Sequence, residues 1–386
     1  MRVLVTGGAG FIGSAFIRYG LKSVPDCECV VNVDSLTYAA DLRRLSPVEG
    51  DARYLFAQGD IRDSRWIEHL CLQYSIDQIV HFAAESHVDR SIAGPVPFYE
   101  TNVGGTVALL EVIRQHPKIR FHHISTDEVF GSLGIEGVFT EHSPYRPNSP
   151  YAASKAAADH FVRAYAHTFN LSTTLSYCTN NYGPGQHEEK LIPKIINACW
   201  NRQKIPVYGT GMHVRDWIFV EDHVEALWKI LHKKVSGKVY ALGGKCEKTN
   251  LEVVQAVIER VAAMRQEDPK TYWDLVEFVP DRLGHDFRYA IDSRRAMEEL
   301  AWSPSHEFKQ GLDLAIEWQM ELVVYPNNLK NWEFGKEGPQ NLHSERGTIA
   351  ERQGPSENAN SEANPTWPKT DSSGCFGIIF PTHQKE

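Results

Sequence analysis

Tyr151 and Lys155 form a pair that could take a proton from a hydroxyl group. They are four residues apart in the alanine-rich stretch 151–169, which predicts a helix with both side chains on one face. A phenol has a pKa near 10 and is only about 0.1% ionised at pH 7, but a neighbouring ammonium group favours the phenolate. We therefore expect Lys155 to lower the pKa of Tyr151 and make it a usable base. The alternative is a surface pair, because this spacing is common by chance.

Asp127 and Glu128 are two adjacent acids at the end of a predicted strand, 120–125. Removal of a hydroxyl group as water needs an acid that protonates the leaving group and a base that takes a carbon-bound proton. Burial and a neighbouring carboxylate would raise the pKa of one acid and separate the two roles. The alternative is a solvated turn, which is the usual reason for two adjacent acids.

Residues 3–13, VLVTGGAGFIG, have the pattern of a nucleotide-binding loop. A buried strand is followed by Gly7, Gly10 and Gly13 and then by a predicted helix, whose first N–H groups can hold a pyrophosphate. Asp34 follows the next apolar run, 30–33, at the distance expected of an acid that binds the adenosine ribose. Its carboxylate repels a 2′-phosphate, so the pattern favours NAD over NADP. A glycine-rich turn without a ligand is the alternative.

The order of predicted elements places these residues in one fold class. Strands and helices alternate up to residue 182, which predicts an α/β, Rossmann-type doubly wound parallel sheet that binds NAD. Shorter helices and loops in 183–325 predict a smaller α/β substrate domain, from which 217–244 returns to the sheet. The stretch 326–386 is rich in Asn, Gly, Ser, Glu and Pro and predicts a disordered tail.

Composition narrows the possible functions. The chain of 386 residues has a net charge of −9, from 40 basic and 49 acidic residues, which argues against a nucleic-acid-binding surface. We find no signal peptide and no apolar run that could span a bilayer, so the expected location is cytoplasmic, without a membrane partner. The seven cysteines are scattered, and Cys27-x-Cys29 lacks a second pair, so no metal site is predicted.

Nine blocks of the sequence resemble the extended short-chain dehydrogenase/reductase family, and within it the dehydratases of dTDP-glucose. The similarity covers about residues 1–325, in TGGAGFIGS, HFAAESHVDRSI, STDEVFG, NSPYAASKAAAD, NNYGP, EKLIP, VRDWIFVEDH, EKTNLEVV and GHD. The TDE triplet, 126–128, is the most specific, because the related sugar epimerases usually carry a small residue pair at 127 and 128.

The resemblance implies roles for residues throughout the chain. The catalytic residues would be Thr126, Asp127, Glu128, Tyr151 and Lys155. NAD would be bound by Gly7, Gly10, Phe11, Ile12, Gly13, Asp34, Ser35, Leu36, Thr37, Asp60, Ile61, Phe82, Ala83, Ala84, Ser86, Thr101, Tyr151, Lys155 and Asn181. The nucleotide sugar would be bound by Ser86, His87, Thr126, Asn180, Lys190, Leu191, Pro206, Val207, Tyr208, Arg215, Asn250, Asp281, Arg282 and His285.

The implied reaction converts dTDP-glucose to its 4-keto-6-deoxy derivative and water, with NAD bound throughout. Tyr151 would take the O4 proton, Glu128 the C5 proton, and Asp127 would protonate the departing C6 hydroxyl. Two alternatives stay open: a 4-epimerase or dehydratase of another nucleotide sugar such as a UDP- or GDP-hexose, and a catalytically silent NAD-dependent scaffold.

The sequence departs from the family pattern at four positions: Ser35, Phe130, Glu188 and Leu283. Glu188 and Leu283 each replace a usual proline and would loosen loops around the nucleotide. The stretch 151–169 resembles the family's dimer helix, which implies a homodimer.

Overall fold

The computed structural model describes residues 1–324 and a two-residue strand at 378–379. The strands are β1 Arg2–Thr6, β2 Cys29–Asp34, β3 Tyr54–Gln58, β4 Gln78–His81, β5 Arg120–Thr126, β6 Thr173–Cys178, β7 Asn180–Tyr182, β8 Ile205–Tyr208, β9 Val214–Phe219, β10 Lys238–Leu242, β11 Glu247–Thr249, β12 Val276–Val279 and β13 Ile378–Ile379.

The helices are α1 Phe11–Ser23, α2 Ser64–Gln73, α3 Val88–Ala93, α4 Val96–Phe98, α5 Thr106–Gln115, α6 Pro150–Phe169, α7 Leu191–Trp200, α8 Val220–Lys233, α9 Asn250–Arg265, α10 Lys270–Trp273, α11 Arg294–Leu300 and α12 Phe308–Val324. Two 3₁₀ segments, Leu42–Val48 and Asp127–Phe130, and a π-helical segment, Tyr99–Gly105, connect them. Every helix in the described part of the chain is too short or too polar to cross a lipid bilayer.

The central sheet is parallel and has the strand order β10-β6-β5-β4-β1-β2-β3-β13. Strands β1 and β2 consist largely of buried Val and Leu, as expected of strands covered on both faces. The order reverses between β1 and β4, and ligands of such sheets bind at the carboxyl ends of the strands on either side of that point. The predicted Rossmann-type fold is confirmed.

Strand β4 ends before the apolar run 79–84 does. That run predicts a buried strand over its whole length, but the chain leaves the sheet after His81, where the last ladder bond joins the Phe82 N–H to the Thr6 carbonyl at 3.0 Å. The chain turns away there because the Gly7 loop approaches it closely: a Cβ built on Gly7 would lie 2.6 Å from the Ala83 nitrogen. Residues 82–84 consequently line a crevice.

Helix α8 packs beside α1 on the central sheet, and strand β10 is one of the strands of that sheet. The Trp228 ring stacks on Phe16 of α1 with centroids 4.5 Å apart, and its indole N–H donates to the Phe16 carbonyl at 3.0 Å. Strand β10 pairs in parallel with β6. This later part of the chain therefore closes one edge and one face of the sheet.

The remaining elements form a smaller unit beside the carboxyl ends of the strands. It has a three-stranded sheet, β11-β9-β7, a two-stranded sheet, β12-β8, and a separate apolar core that α7, α9 and α12 share. Its predicted boundary at residue 182 stays a prediction. Of the predicted tail, strand β13 pairs with Phe56 and Ala57 of β3, and the rest lies outside the described residues.

Candidate active site

A cavity of about 570 Å³ opens at the carboxyl ends of the central strands and collects most of the predicted site residues. Its lining includes Gly7, Gly10, Phe11, Ile12, Gly13, Asp34, Ser35, Thr37, Asp60, Ile61, Phe82, Ala83, Ala84, Ser86, Thr101, Thr126, Asp127, Glu128, Tyr151, Lys155, Asn180, Asn181 and Lys190. The described structure thus brings all candidate cofactor residues except Leu36, and all five candidate catalytic residues, to one cavity.

The glycine loop has the shape of a dinucleotide cradle. Gly7 has a φ of +72°, which strains any other L-residue, and a Cβ on Gly13 would lie 2.4 Å from the Gly7 carbonyl oxygen. Helix α1 begins at Phe11 without a capping side chain, so backbone N–H groups of its first turn are available to an anion. These residues fit the pyrophosphate of NAD.

Asp34 also shapes this loop. Its carboxylate accepts hydrogen bonds from the backbone N–H groups of Ala9, at 2.9 Å, and Leu36, at 2.8 Å. Burial raises the pKa of Asp34, and these two hydrogen bonds oppose the rise. The carboxylate therefore fixes the glycine loop while it lines the cavity where a ribose would lie. Leu36 contributes its backbone N–H to this arrangement, and it is absent from the cavity lining.

Replacing Gly13 by alanine is expected to weaken NAD binding by about 10-fold or more, since the methyl group would force the Gly7 carbonyl out of the cradle. Retention of the dinucleotide after gel filtration measures this. Gly50→Ala is the control, because a Cβ at that position meets no atom within 4 Å. Equal retention by the two variants would contradict the proposed cradle.

Tyr151 and Lys155 lie in the first turns of α6, which Ser149 caps by accepting the Ala152 N–H at 3.1 Å. Burial, then Glu128, raises the pKa of Tyr151 well above its ordinary value, and a hydrogen bond with Thr126 opposes this. Lys155 is buried and donates to the Ile124 carbonyl at 2.8 Å. The pKa of Tyr151 is therefore raised in this arrangement, against the expectation that Lys155 lowers it, because burial of the phenol and the nearby carboxylates dominate.

Asp127 and Glu128 have different environments although they are adjacent. Asp127 is 2% exposed, and its Oδ2 has no hydrogen-bond partner within the described part of the chain. Burial, then Glu128 and Asp216, raises its pKa well above its ordinary value, so Asp127 is suited to carry a proton at neutral pH.

The pKa of Glu128 is also raised by burial, but three cations oppose the rise: Arg282, Arg215 and Lys190. Glu128 is half-buried in the cavity wall. The cations favour its ionised form, so Glu128 is suited to act as a base next to a protonated Asp127.

The remaining candidate nucleotide residues are absent from the lining of the cavity: His87, Leu191, Pro206, Val207, Tyr208, Arg215, Asn250, Asp281, Arg282 and His285. Arg215 is buried, with Nη2 donating to the Asp286 carbonyl at 2.9 Å and its guanidinium 4.4 Å from the Tyr289 ring. The Val207 side chain lies in the apolar core of the smaller unit. Arg215 therefore contributes charge beside Glu128, while two of its N–H groups are used by backbone carbonyls.

His213, Asp281 and His285 come together, but their present arrangement does not suit a metal ion. His285 Nδ1 lies 2.7 Å from Asp281 Oδ1, and His213 Nε2 lies 3.2 Å from Asp281 Oδ2. The two imidazole rings are stacked, with centroids 3.6 Å apart and planes differing by 18°. Because the two imidazole rings are nearly parallel, the lone pairs of their nitrogen atoms do not point to one common ion position. Both rings instead contact the Asp281 carboxylate.

Sequence reasoning missed several residues of the cavity lining: Cys178, Gln186, His187 and Glu189. Cys178 ends strand β6, and the rule that strand ends line the crevice could have identified it. The loop 185–189 is covered by a family block only at Glu189, where EKLIP begins, so Gln186 and His187 carry no motif that could have revealed their position.

Comparison with known proteins gives three consistent findings. Residues 4–314 match the family model described as GDP-mannose 4,6 dehydratase. The dTDP-glucose 4,6-dehydratase of Neisseria meningitidis serogroup B is 45% identical over 86% of this chain and 97% of that protein. The dTDP-glucose 4,6-dehydratase of Xanthomonas campestris pv. campestris is 48% identical over 82% of this chain and 92% of that protein.

A solved structure is similar over the same range. The dTDP-glucose 4,6-dehydratase DesIV from Streptomyces venezuelae, with NAD and TYD bound, superposes with a TM-score of 0.79 at 43% identity. The match covers 86% of this chain and 100% of that one.

Proposed function

Because the chain belongs to the GDP-mannose 4,6-dehydratase family and, within it, to the dTDP-glucose 4,6-dehydratases, we propose that it converts dTDP-D-glucose to dTDP-4-keto-6-deoxy-D-glucose and water. It would be an NAD-dependent hydro-lyase. The observation that carries the proposal is the meeting of a phenol base, Tyr151, and two unlike carboxyl groups, Asp127 and Glu128, in the cavity of the glycine cradle.

The cradle of Gly7, Gly10 and Gly13 would hold the pyrophosphate of NAD, and Asp34 the adenosine ribose. When bound, NAD supplies a hydride acceptor and donor and a positive charge on its oxidised ring. That charge would oppose the effect of the carboxylates on Tyr151. The Asp34 carboxylate would repel the 2′-phosphate of NADP, and no basic residue directly follows Asp34 to bind that phosphate. Both features support NAD rather than NADP.

The chain's own residues would move three protons. Tyr151 takes the proton of the sugar O4 as the alcohol becomes a ketone. The ketone acidifies the C5 proton, which Glu128 removes, and Asp127 protonates the C6 hydroxyl so that it leaves as water. The raised pKa of Asp127 and the cations around Glu128 support this division of roles.

This sequence of steps leaves a proton to be returned. The product keeps its ketone, so each turnover leaves Tyr151 with one proton more and Asp127 with one fewer, while Glu128 gives its proton back to C5. The Thr126 hydroxyl donates to Asp127 Oδ1 at 3.3 Å, and the same side chain opposes the rise in the pKa of Tyr151. Thr126 is therefore suited to pass the proton from the phenol to the carboxylate.

Replacing Thr126 by valine is expected to slow later turnovers by about 10²-fold relative to the first, because the route for this proton is lost. Rapid-quench measurement of the first turnover and of the steady state gives the ratio. Thr126→Ser keeps the hydroxyl and should restore it. A valine variant that slows all turnovers equally would contradict the proton-return role.

Mass analysis of products from dTDP-, UDP- and GDP-hexoses tests the proposed function. We expect loss of one water from dTDP-glucose in preference to the other two. A product of unchanged mass would indicate a 4-epimerase, and no product from any hexose nucleotide would indicate the silent scaffold. Preference for UDP- or GDP-glucose would assign the dehydratase to another nucleotide.

Three finer assignments belong to the same proposal. The nucleotide would be held by Lys190, Tyr208, Arg215, Asn250 and the loop 281–285, at the edge of the smaller unit.

A homodimer is supported by exposed Phe161 and Phe169 on α6, at 41% and 45% exposure, and sedimentation would test it. A cytoplasmic location is supported by six cysteines of the described chain that are free thiols.

A further inference from the structure

Asp159 lies behind the cavity, one helical turn beyond Lys155 on the same face of α6. It is 0% exposed. Its Oδ2 accepts hydrogen bonds from the Ser125 hydroxyl at 2.8 Å and from the Tyr145 hydroxyl at 3.1 Å. Ser125 directly precedes the catalytic triplet 126–128, so this carboxylate joins α6 to the end of β5.

The second oxygen of Asp159 is less well satisfied. Oδ1 lies 3.2 Å from His123 Nε2, but the orientation makes no hydrogen bond, and within the described chain both atoms lack a partner. A buried carboxylate with an unsatisfied oxygen costs folding free energy. Its presence at this position is therefore explained poorly by stability alone.

The nearest cationic catalytic group supplies a better explanation. Lys155 is buried, burial lowers its pKa, and Asp159 is the largest influence that opposes this. Conversely, burial raises the pKa of Asp159 to about 6, and Lys155 is the largest influence that opposes that rise. The two opposite charges therefore stabilise each other, since both side chains are buried.

We propose that Asp159 is a positioning residue: it lies one turn from Lys155 on the same buried face of α6 and stabilises its ammonium group, and through the Ser125 hydroxyl it holds the Thr126–Glu128 segment against α6. The proposal rests on the proposed function, with Lys155 as the catalytic and NAD-binding residue that the family resemblance implies. The titratable and polar groups that face Asp159 are Lys155 and Arg163 on α6, His123 and Ser125 on β5, Tyr145 in the loop before α6, and Tyr177 on β6.

None of the other groups that face Asp159 is expected to titrate near its pKa of about 6. The pKa of His123 is lowered well below its ordinary value by burial, so this ring stays neutral. Burial raises the pKa of Tyr145 far above 10, and that of Tyr177 to about 12. The Tyr145 hydroxyl contacts the Tyr177 hydroxyl, which accepts from Arg163 at 2.8 Å, so the network continues away from the cavity.

Asp159→Asn keeps the size and the acceptor oxygen of the side chain but removes its charge. We expect the alkaline limb of the kcat profile to move to lower pH by about one unit, because Lys155 loses its proton more easily. We expect the melting temperature at pH 8 to stay within about 2 °C of the parent or to rise. Ser125→Ala and Tyr145→Phe, which remove hydrogen bonds and keep the charge, should leave the alkaline limb in place.

A uniform loss of activity with an unchanged pH profile would overturn the proposal, and so would an equal shift of the limb in the two hydrogen-bond variants. Carboxyl NMR of Asp159 gives a readout that needs neither turnover nor a folded Asp159→Asn. In the parent we expect titration near pH 6, and in Lys155→Met a pKa about one unit higher. An unchanged Asp159 pKa in Lys155→Met would refute the coupling, whether or not the proposed function holds.

Discussion

Glu128→Gln is expected to slow formation of the 4-keto-6-deoxy product by about 10²- to 10⁴-fold, because glutamine cannot take the C5 proton. Tyr151 and the glycine cradle are unchanged, so oxidation at C4 should continue. Reduced nicotinamide is then expected to accumulate when substrate is added. Absorbance of the reduced ring and mass analysis of the quenched mixture measure the two outcomes separately.

The pH dependence gives this prediction a second signature. Burial raises the pKa of Glu128 above its ordinary value, so the parent should lose elimination activity on the acidic side at a higher pH than an exposed glutamate would allow. The glutamine variant should lack that limb, since no group titrates at position 128. Glu136→Gln, at an exposed position on the following loop, is the control. Full water elimination by Glu128→Gln would contradict the assigned base.

Tyr151→Phe is expected to reduce turnover by about 10³-fold or more and to stop the reaction before any reduced nicotinamide appears. The reason is that the first proton to move is the one on the sugar O4, and phenylalanine cannot accept it. Stopped-flow absorbance distinguishes this result from that of Glu128→Gln, in which the reduced ring accumulates. The two variants therefore separate oxidation from elimination.

Tyr165→Phe is the matched control for this change. Tyr165 is on the same helix, and its hydroxyl donates to Glu111 at 2.7 Å, away from the cavity. Its loss should leave turnover unchanged. Reduced nicotinamide in Tyr151→Phe at the parent's rate would show that another group takes the O4 proton.

Much of the central sheet could be predicted from sequence because its strands are short apolar runs between glycine turns and amphipathic helices. The same regularity places Gly7, Asp34, Thr126 and Tyr151 at strand ends or helix starts, which a parallel sheet brings to one edge. The reversal of strand order around β1 and β4 then determines where the crevice opens. These conclusions depend on local pattern and on the general rules of the fold.

Electrostatics of the site could not be predicted in the same way. The pKa of Tyr151 is raised, although Lys155 was expected to lower it, because burial has the largest influence on the phenol. Burial also lowers the pKa of Lys155, which donates to the Ile124 carbonyl, 31 residues away in the chain. The cations around Glu128 come from three separate segments, so their convergence is a tertiary property. Desolvation depends on which residues pack around a group in the folded chain, and the residues adjacent in sequence do not reveal that packing.

Asp159 illustrates the intermediate case. Its spacing from Tyr151 and Lys155 repeats the interval of four, which places all three on one helical face. The sequence alone assigned no role to Asp159, whereas the structure buries the residue against β5. The sequence shows the spacing of Asp159, but only the structure shows that this residue packs against β5 and contacts Ser125.

In the proposed reaction, a sugar molecule bound in one cavity is oxidised at C4, loses water across C5 and C6, and is reduced at C6. Incubation of the enzyme with dTDP-glucose that carries deuterium at C4 tests this most directly. We predict a product that is lighter by one water and carries the deuterium at C6. Deuterium that remains at C4, or that is lost to solvent, would contradict the account.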